Sequence, residues 1–531
     1  MIPYADFFYF GILLYMALPT LLIRRWLGFS RAWVLLATAA MLIAQYGTTA
    51  HLLPVIAPAG LRVTGGSPVS GGLAEVRDIW VVIACGLFQW SLAQAFLWMR
   101  TRTSWYWPFP AAMLLTLLPL VGARFLPMAM PGAQFGFLGI SYVTFRSLDV
   151  IFGIRDRLIV SLPADQFLAF LFFFPTISSG PIDRYRRFSQ DWNRPRPAAE
   201  FWKDLDGAVH RVFTGFLYKF ILAATIKTYW IDRLAEGGFL NTLSYMYGYS
   251  LYLYFDFAGY SAFAVGVSYL LGIHTPENFN RPFLAGNIKD FWNRWHISLS
   301  TWLRDHVYMR FMLAAGKGHW FTGKYTASYL GYFLTFGLMG LWHGIEPYYL
   351  LYGLYHGTLL VGHDLFTRWN KPRQVWRNGP LWRATGTVVT FHMVCLGFLL
   401  FSGRIGPTWK PANSVPPVTQ GAALAHVGPH ESSDGQTIRG WARDASRPDL
   451  PVKVAILDGN RLLAGVLADG FRADIQQAGR GNGRRGFSYS IPAELKDGGK
   501  HLILVQLAGT DIDLQNMPRS ITLSPAFSGR N

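Results

Sequence analysis

Charge is scarce in this chain and cysteine is nearly absent. Only 15% of its 531 residues are Asp, Glu, Lys or Arg, where a soluble globular chain carries about 25%. Acid is the scarcer sign, with 30 acidic against 48 basic residues. That balance excludes one large soluble domain. The two cysteines, Cys85 and Cys395, each lie inside an apolar run. They exclude a disulfide framework and a cysteine zinc site, and read as packing residues. No GxGxxG, P-loop, HExxH or GxSxG occurs in a usable context, and no fixed-period repeat is present.

What the chain has instead is apolar length. Half of it is hydrophobic (51%) and 16% is aromatic. Runs long enough to cross a bilayer recur through the first four hundred residues. The reading is a polytopic α-helical membrane protein of about 11–12 segments plus re-entrant helices. The net charge of +18 does not argue for nucleic acid. Before Gly403 there are 33 basic and 19 acidic residues, so the apolar part carries +14. Those basic residues sit mainly in short loops, where the positive-inside rule wants them. The first run, about 7–23, has no basic segment before it and no small-residue cleavage site after it, so it reads as a first span.

Topology follows from charge. Arg24 and Arg25 put the end of the first span inside. Spans are expected at 32–56, 78–99, 107–126, 132–153, 209–228, 241–272, 328–343, 347–365 and 386–401, with an exterior loop at 57–77. The run 164–177 is too short to cross and meets Ser178-Ser179-Gly180-Pro181, a re-entrant pattern. Arg368 to Arg383 crowd a short loop, the strongest inside signal. Residues 274–310 are too polar to span. Their Trp292, Trp295, Trp302 and Tyr308 suit an interface, with one face apolar and the other wet.

Three polar residues sit where polarity is expensive. Asp256 lies deep in an apolar run and needs a partner or a wet cavity; a buried Arg or Tyr is the expected partner. His296 follows Phe291-Trp292-Asn293-Arg294-Trp295. His343 stands between Trp342 and Gly344 at the end of an apolar run. A single such histidine is more often a packed core residue, but two shift the balance towards proton transfer.

The ordered set Leu138-Gly139-Ile140-Ser141-Tyr142, Ser178 to Arg184, Phe216 to Phe220, Phe255 to Ser261, Phe291 to Ser300 and Leu341-Trp342-His343-Gly344 resembles the membrane-bound O-acyltransferases. Within that family it is most similar to the branch that D-alanylates teichoic acids. The resemblance covers about residues 1–403. It implies a ring of helices around a thin centre, with His343 as catalytic base and His296 beside the donor thioester. Asn293, Arg294, Trp295, Asp256, Ser179, Asp183 and Arg184 are the expected donor- or substrate-binding residues. It implies no metal and no tightly bound cofactor. The donor is a thioester on a carrier protein's phosphopantetheine, or acetyl-CoA. The expected partners are an acyl carrier protein, an extracytoplasmic polysaccharide or teichoic-type polymer, and the bilayer of the plasma or inner membrane. O-acetylation of an exopolysaccharide such as cellulose or alginate is the alternative within the class. A non-catalytic scaffold or a transporter in polysaccharide export is the alternative outside it.

The pattern changes at about Arg404. A linker rich in Pro, Ala and Gly is expected at 404–436, then a soluble β-sandwich at 437–531. Alternating runs begin at Ile438, Val452, Leu462, Gly486, His501 and Ile521, with Asp458-Gly459 as a hairpin signal. This part lies outside the resemblance. One span follows the basic loop, which places the sandwich outside the cytoplasm. Trp441, Tyr489 and His501 are its candidates for sugar contact.

Overall fold

A computed structural model describes the chain except residues 47–73, 104–106, 130–135, 195–197, 406–429, 443–451, 473–483, 508–518, 523–531 and a few shorter stretches. Residues 57–73 of the exterior loop expected at 57–77 fall outside the described residues, and its last four, 74–77, are helical instead; most of the linker expected at 404–436 also falls outside. The chain divides into two compact units, one of Met1–Leu61 and Val69–Trp409, the other of Arg62–Pro68 and Lys410–Asn531.

The first unit is helical. Its helices are α1 (Phe7–Trp26), α2 (Arg31–Tyr46), α3 (Ala74–Arg102), α4 (Pro108–Ala129), α5 (Ile140–Arg155), α6 (Ala164–Phe172), α7 (Tyr185–Asn193), α8 (Phe201–Phe216) and α9 (Ala224–Tyr229). They continue as α10 (Phe239–Leu270), α11 (Ile288–Trp292), α12 (Ile297–Leu303), α13 (Met309–Lys317), α14 (Thr326–His343), α15 (Pro347–Arg373) and α16 (Pro380–Phe401). Among the described residues, four helical stretches are long and apolar enough to cross a membrane unaided: Ile79–Arg102, Pro108–Leu126, Phe201–Arg233 and Pro380–Phe401. Their outward faces carry exposed Trp98, Leu114, Leu118, Phe213 and Val388. Such a surface is stable against lipid and costly against water.

Several expected boundaries move. The span read at 209–228 begins at Phe201 and passes through a π-helical turn, Leu217–Ala223. The basic loop read at 368–383 is mostly helix, since α15 continues to Arg373 and α16 starts at Pro380. Trp292, Trp295 and Trp302 are buried, at 7%, 5% and 3% exposure, and so are not interfacial. They belong to one core cluster with Phe145, Phe291, Leu299, Met339, Tyr352 and Phe398. Packing against α14, α15 and α16 removes the wet face that their sequence neighbourhood suggested.

The second unit is a β-sandwich of two antiparallel four-stranded sheets, ordered β1-β2-β6-β5 and β4-β3-β7-β8. The strands are β1 (His430–Ser433), β2 (Thr437–Trp441), β3 (Val452–Asp458), β4 (Arg461–Ala468), β5 (Gly470–Phe471), β6 (Arg484–Ser490), β7 (Lys500–Leu507) and β8 (Arg519–Thr522). Asp458 pairs across to Arg461, the tight hairpin that Asp-Gly signals. Ile438 and Phe487 of one sheet share a core with Val454, Ile456, Ile503 and Val505 of the other. β1 lies inside the stretch read as linker. His-Glu-Ser-Ser has no alternating apolar pattern, and backbone pairing to β2 alone makes it a strand. Trp441 is 2% exposed and His501 bonds Asp458 at 2.7 Å. Burial withdraws Trp441 from the sugar-contact candidates.

Candidate active site

The site lies where the polar segment between α10 and α13 meets α14, α15 and α16. α14 ends at Gly344, whose extended backbone turns the chain into α15, with Pro347 at its first turn. The two helices cross closely. A Cβ on Gly340 would strike the Tyr349 carbonyl, and one on Gly353 would strike that of Phe336. Small residues at such a crossing let backbones approach. The approach brings the His343 ring within 6.2 Å of Tyr352 and 4.9 Å of Phe401. The Trp342 carbonyl, freed at the end of α14, accepts from Arg124 at 2.5 Å.

His296 is set by backbone. Its φ is +43°, a left-handed conformation costly for a residue with a Cβ. Neighbouring bonds hold it there. Ile297 N–H donates to the Asn278 carbonyl at 3.0 Å, and Ser298 Oγ donates to Asn278 Oδ1 at 2.6 Å. Ser298 Oγ in turn accepts from Ile182 N–H at 2.9 Å, which ties the segment to the Gly180-Pro181 turn. His296 is 3% exposed, and among the described residues neither ring nitrogen has a hydrogen-bond partner. A buried histidine with both nitrogens unbonded is expensive as pure structure.

Both histidines wall one cavity of about 50 Å³, together with Leu253, Phe257, Trp292, Trp295 and Tyr352. A larger cavity of about 260 Å³ adjoins it, lined by Lys289, Asn293, Ser300, Thr301, Arg304 and Tyr308 among others. Trp292 and Met339 line both. The arrangement is a cavity with polar side chains in its wall, the vestibule, beside a small, largely apolar chamber with two imidazoles. That is a setting for moving a proton away from bulk water.

The sequence-derived residues divide accordingly. His343, His296 and Trp295 face the chamber and Asn293 faces the vestibule. Arg294 donates to Asp290 at 2.8 Å, one turn back. Asp256 has Lys219 as its partner at 2.5 Å, rather than an Arg or Tyr. The π-helical turn carries that lysine, which no periodicity in the sequence betrays. Ser178 and Ser179 hydrogen-bond Tyr260, with Ser178 at 2.6 Å. Asp183 is paired with Arg187, and Arg184 bonds Asp149 at 2.9 Å and Asp305 at 3.1 Å. Burial opposes the charge on Arg187, but Asp183 and Asp191 outweigh it and its pKa rises. The structure therefore gathers Ser179, Asp183, Arg184 and Asp256 into ion pairs and hydrogen bonds outside the walls of both cavities. Sequence reasoning passed over Tyr352 in the chamber wall and read Trp292 as interfacial rather than as a wall of both cavities. Tyr352 sits one helical repeat below the Tyr348-Tyr349 pair on α15, the only signal it gave. Among the described residues, no cluster of His, Cys, Asp or Glu could hold a metal ion.

Helices with apolar outward faces around a chamber walled by two histidines fit a membrane-embedded group-transfer enzyme. The chain belongs to the membrane-bound O-acyltransferase family, whose signature matches residues 153–403. It is 46% identical to a teichoic acid D-alanyltransferase of Bacillus subtilis over 343 residues, 62% of this chain and 87% of the relative. It is 40% identical to one from Streptococcus thermophilus over 328 residues, 58% and 79% of the two chains. A probable alginate O-acetylase of Pseudomonas aeruginosa is 33% identical over 271 residues, half of this chain and 48% of the relative.

Proposed function

We propose that this O-acyltransferase moves a D-alanyl group from a carrier-bound phosphopantetheine thioester, presented at the cytoplasmic face, to hydroxyls of an extracytoplasmic glycopolymer. The observation that carries the reading is the pair of adjoining cavities. The vestibule with Lys289, Asn293 and Arg304 suits a long polar donor arm, and the chamber suits the thioester itself. His343 is the general base that takes the acceptor hydroxyl's proton as oxygen attacks the thioester carbon. His296 stands beside the donor. A positioned base of this kind contributes about 10²- to 10⁴-fold. No cofactor stays on the enzyme, and the acyl group is consumed each turnover. The multi-pass helical unit sits in the plasma or inner membrane, and the sandwich from about residue 437 lies outside the cytoplasm, where it holds acceptor polymer.

The donor is favoured as D-alanyl by the 46% and 40% identities to proteins named for that transfer. Acetyl transfer to an exopolysaccharide is the second reading, supported by the 33% identity to the alginate O-acetylase. Purified protein offered D-alanyl carrier or acetyl-CoA, with teichoic-type polymer or alginate as acceptor, decides between them. Ester formation from the D-alanyl carrier is expected, and ester formation from acetyl-CoA alone would replace the first reading by the second.

A further inference from the structure

A general base works on a hydroxyl only when that hydroxyl is held beside it. The acceptor must reach His343 from the outer face, and basic residues identify that face. Arg100 and Arg102 close α3 on the inside, so α4 ends outside. The basic stretch from Arg368 to Arg383 joins α15 to α16 on the inside. The end of α14, the start of α15 and the end of α16 therefore lie outside too. Arg124, His343, Phe401 and Arg404 share this outer end of the helical unit.

Arg124 stands apart from the other interior arginines. Arg24 is matched by Asp204, Arg184 by Asp149 and Arg187 by Asp183. Arg146 is sealed in among the carbonyls of Phe170, Leu171 and Thr176. Arg124 has no carboxylate partner among the described residues. One Nη donates to the Trp342 carbonyl, next to His343. Its Nε and second Nη have no partner among the described residues, and they are not sealed from solvent as the His296 nitrogens are. Capping α14 occupies one of five N–H groups. An unmatched cation on a membrane-spanning helix is costly and points to function. Its charge acts on His343 and on Tyr349, whose ring lies 6.2 Å from that of His343. Arg404 is a second cation without a carboxylate partner among the described residues. It is exposed, lies over the Tyr245 ring at 4.3 Å, and follows Phe401, which packs on His343 at 4.9 Å.

We propose that Arg124 binds a phosphodiester of the acceptor polymer and so presents the neighbouring hydroxyl to His343, with Arg404 as a second, outer contact. The assignment rests on the reading of the acceptor as a teichoic-type polymer. A guanidinium forks onto two phosphate oxygens at once, which fixes orientation as well as position. A polymer with a phosphate beside each free hydroxyl is then set in register on the base. A neutral glycan leaves both cations without a partner, so the pair selects for anionic acceptors. A uronate carboxylate fits the same fork, and the test separates the two anions.

The full chain is given D-alanyl carrier as donor and two acceptors, a glycerol-phosphate oligomer and a neutral polyglycerol of matched length. The variants are Arg124→Gln and a protein carrying citrulline at position 124, which keeps the N–H groups toward Trp342 and loses only the charge. In each, kcat/KM for the phosphate acceptor relative to the neutral one should fall about 10- to 100-fold, chiefly through KM. Arg404→Gln should lower the same ratio by less. Loss of the α14 cap alone slows both acceptors equally, so a parental ratio in the citrulline protein would overturn the proposal. A second readout needs no turnover. A fluorescent glycerol-phosphate oligomer should bind His343→Ala protein, and at least about 10-fold more weakly when citrulline replaces Arg124. Equal affinity would overturn the proposal. An alginate oligomer should displace the probe only weakly, and displacement as strong as by unlabelled glycerol-phosphate oligomer would overturn the phosphodiester assignment. If the parent forms no ester from D-alanyl carrier, the transfer reading fails, while the binding comparison still judges Arg124.

Discussion

The two units of this chain solve burial in opposite ways. In the sandwich, Ile438, Val454, Ile456, Ile503 and Val505 are 0% exposed and charge faces outward. In the helical unit, leucines and aromatics face outward, while Arg146, Asp149, Asp183, Asp204 and His296 are buried. Arg146 is 1% exposed and donates to the carbonyls of Phe170 at 2.9 Å and Leu171 at 3.0 Å. The difference is the solvent. Water rewards the first arrangement through apolar burial. Lipid gives apolar side chains nothing for packing together, so close backbone approach and satisfied polar groups hold helices to one another. A polar interior is then both the adhesive and the place where chemistry can be housed. The alignments follow the same division, since the family match ends at residue 403.

The comparison can be broken first at the chemistry. His343→Ala should lower acyl transfer by at least about 10²-fold in purified, folded protein. Near-parental turnover would take His343 out of the mechanism. His296→Ala should act on the donor half, seen as slower reaction with the carrier thioester. Single-turnover kinetics matching the parent would make His296 structural.

Next comes the cost of removing an interior carboxylate against that of a lost methyl-rich side chain. Asp149→Ala removes the carboxylate that Arg184 and His306 reach at 2.9 Å each, strands the buried His306, and leaves Arg184 to Asp305 at 3.1 Å. It should destabilise the helical unit by about 3–5 kcal/mol, the usual price of leaving one partner behind. Ile456→Ala in the sandwich should cost about 2–5 kcal/mol through cavity formation. Thermal unfolding in detergent reads both, by two transitions if the units melt separately. An Asp149→Ala protein as stable as the parent would mean that the polar interior is not the adhesive.

A smaller effect is expected from the sandwich on catalysis. Deleting residues 421–531 should weaken activity on polymer several-fold and spare a small hydroxyl acceptor. A stable truncation that acylates polymer as well as the parent would leave the sandwich without a glycan-holding role. Smallest of all, His501→Ala should cost the sandwich about 0.5–1.5 kcal/mol, one part-buried hydrogen bond to Asp458. A loss of several kcal/mol by chemical denaturation would show that pair to be a core contact instead.

The division also explains which features were legible in the sequence. Long apolar runs and alternating strands repeat a local pattern, so most helices and six of the eight strands among the described residues could be read directly. β1 and β5 could not, because His430–Ser433 and Gly470–Phe471 are strands only through their neighbours. His296 and His343 were legible because a histidine in apolar surroundings is conspicuous. Lys219 was not paired with Asp256 beforehand, since 37 residues and a π-helical turn separate them. Trp292 was misread as interfacial for a similar reason. Its burial comes from Phe336 and His356, 44 and 64 residues away.

The central claim is that acyl groups cross from one face to the other through the histidine chamber. Proteoliposomes of one orientation, with D-alanyl carrier supplied to the cytoplasmic face and acceptor polymer confined to the opposite side, test it directly. Ester should form on the enclosed polymer with wild-type protein and fall by at least about 10²-fold with His343→Ala. Product that forms only when donor and acceptor share one side would contradict it.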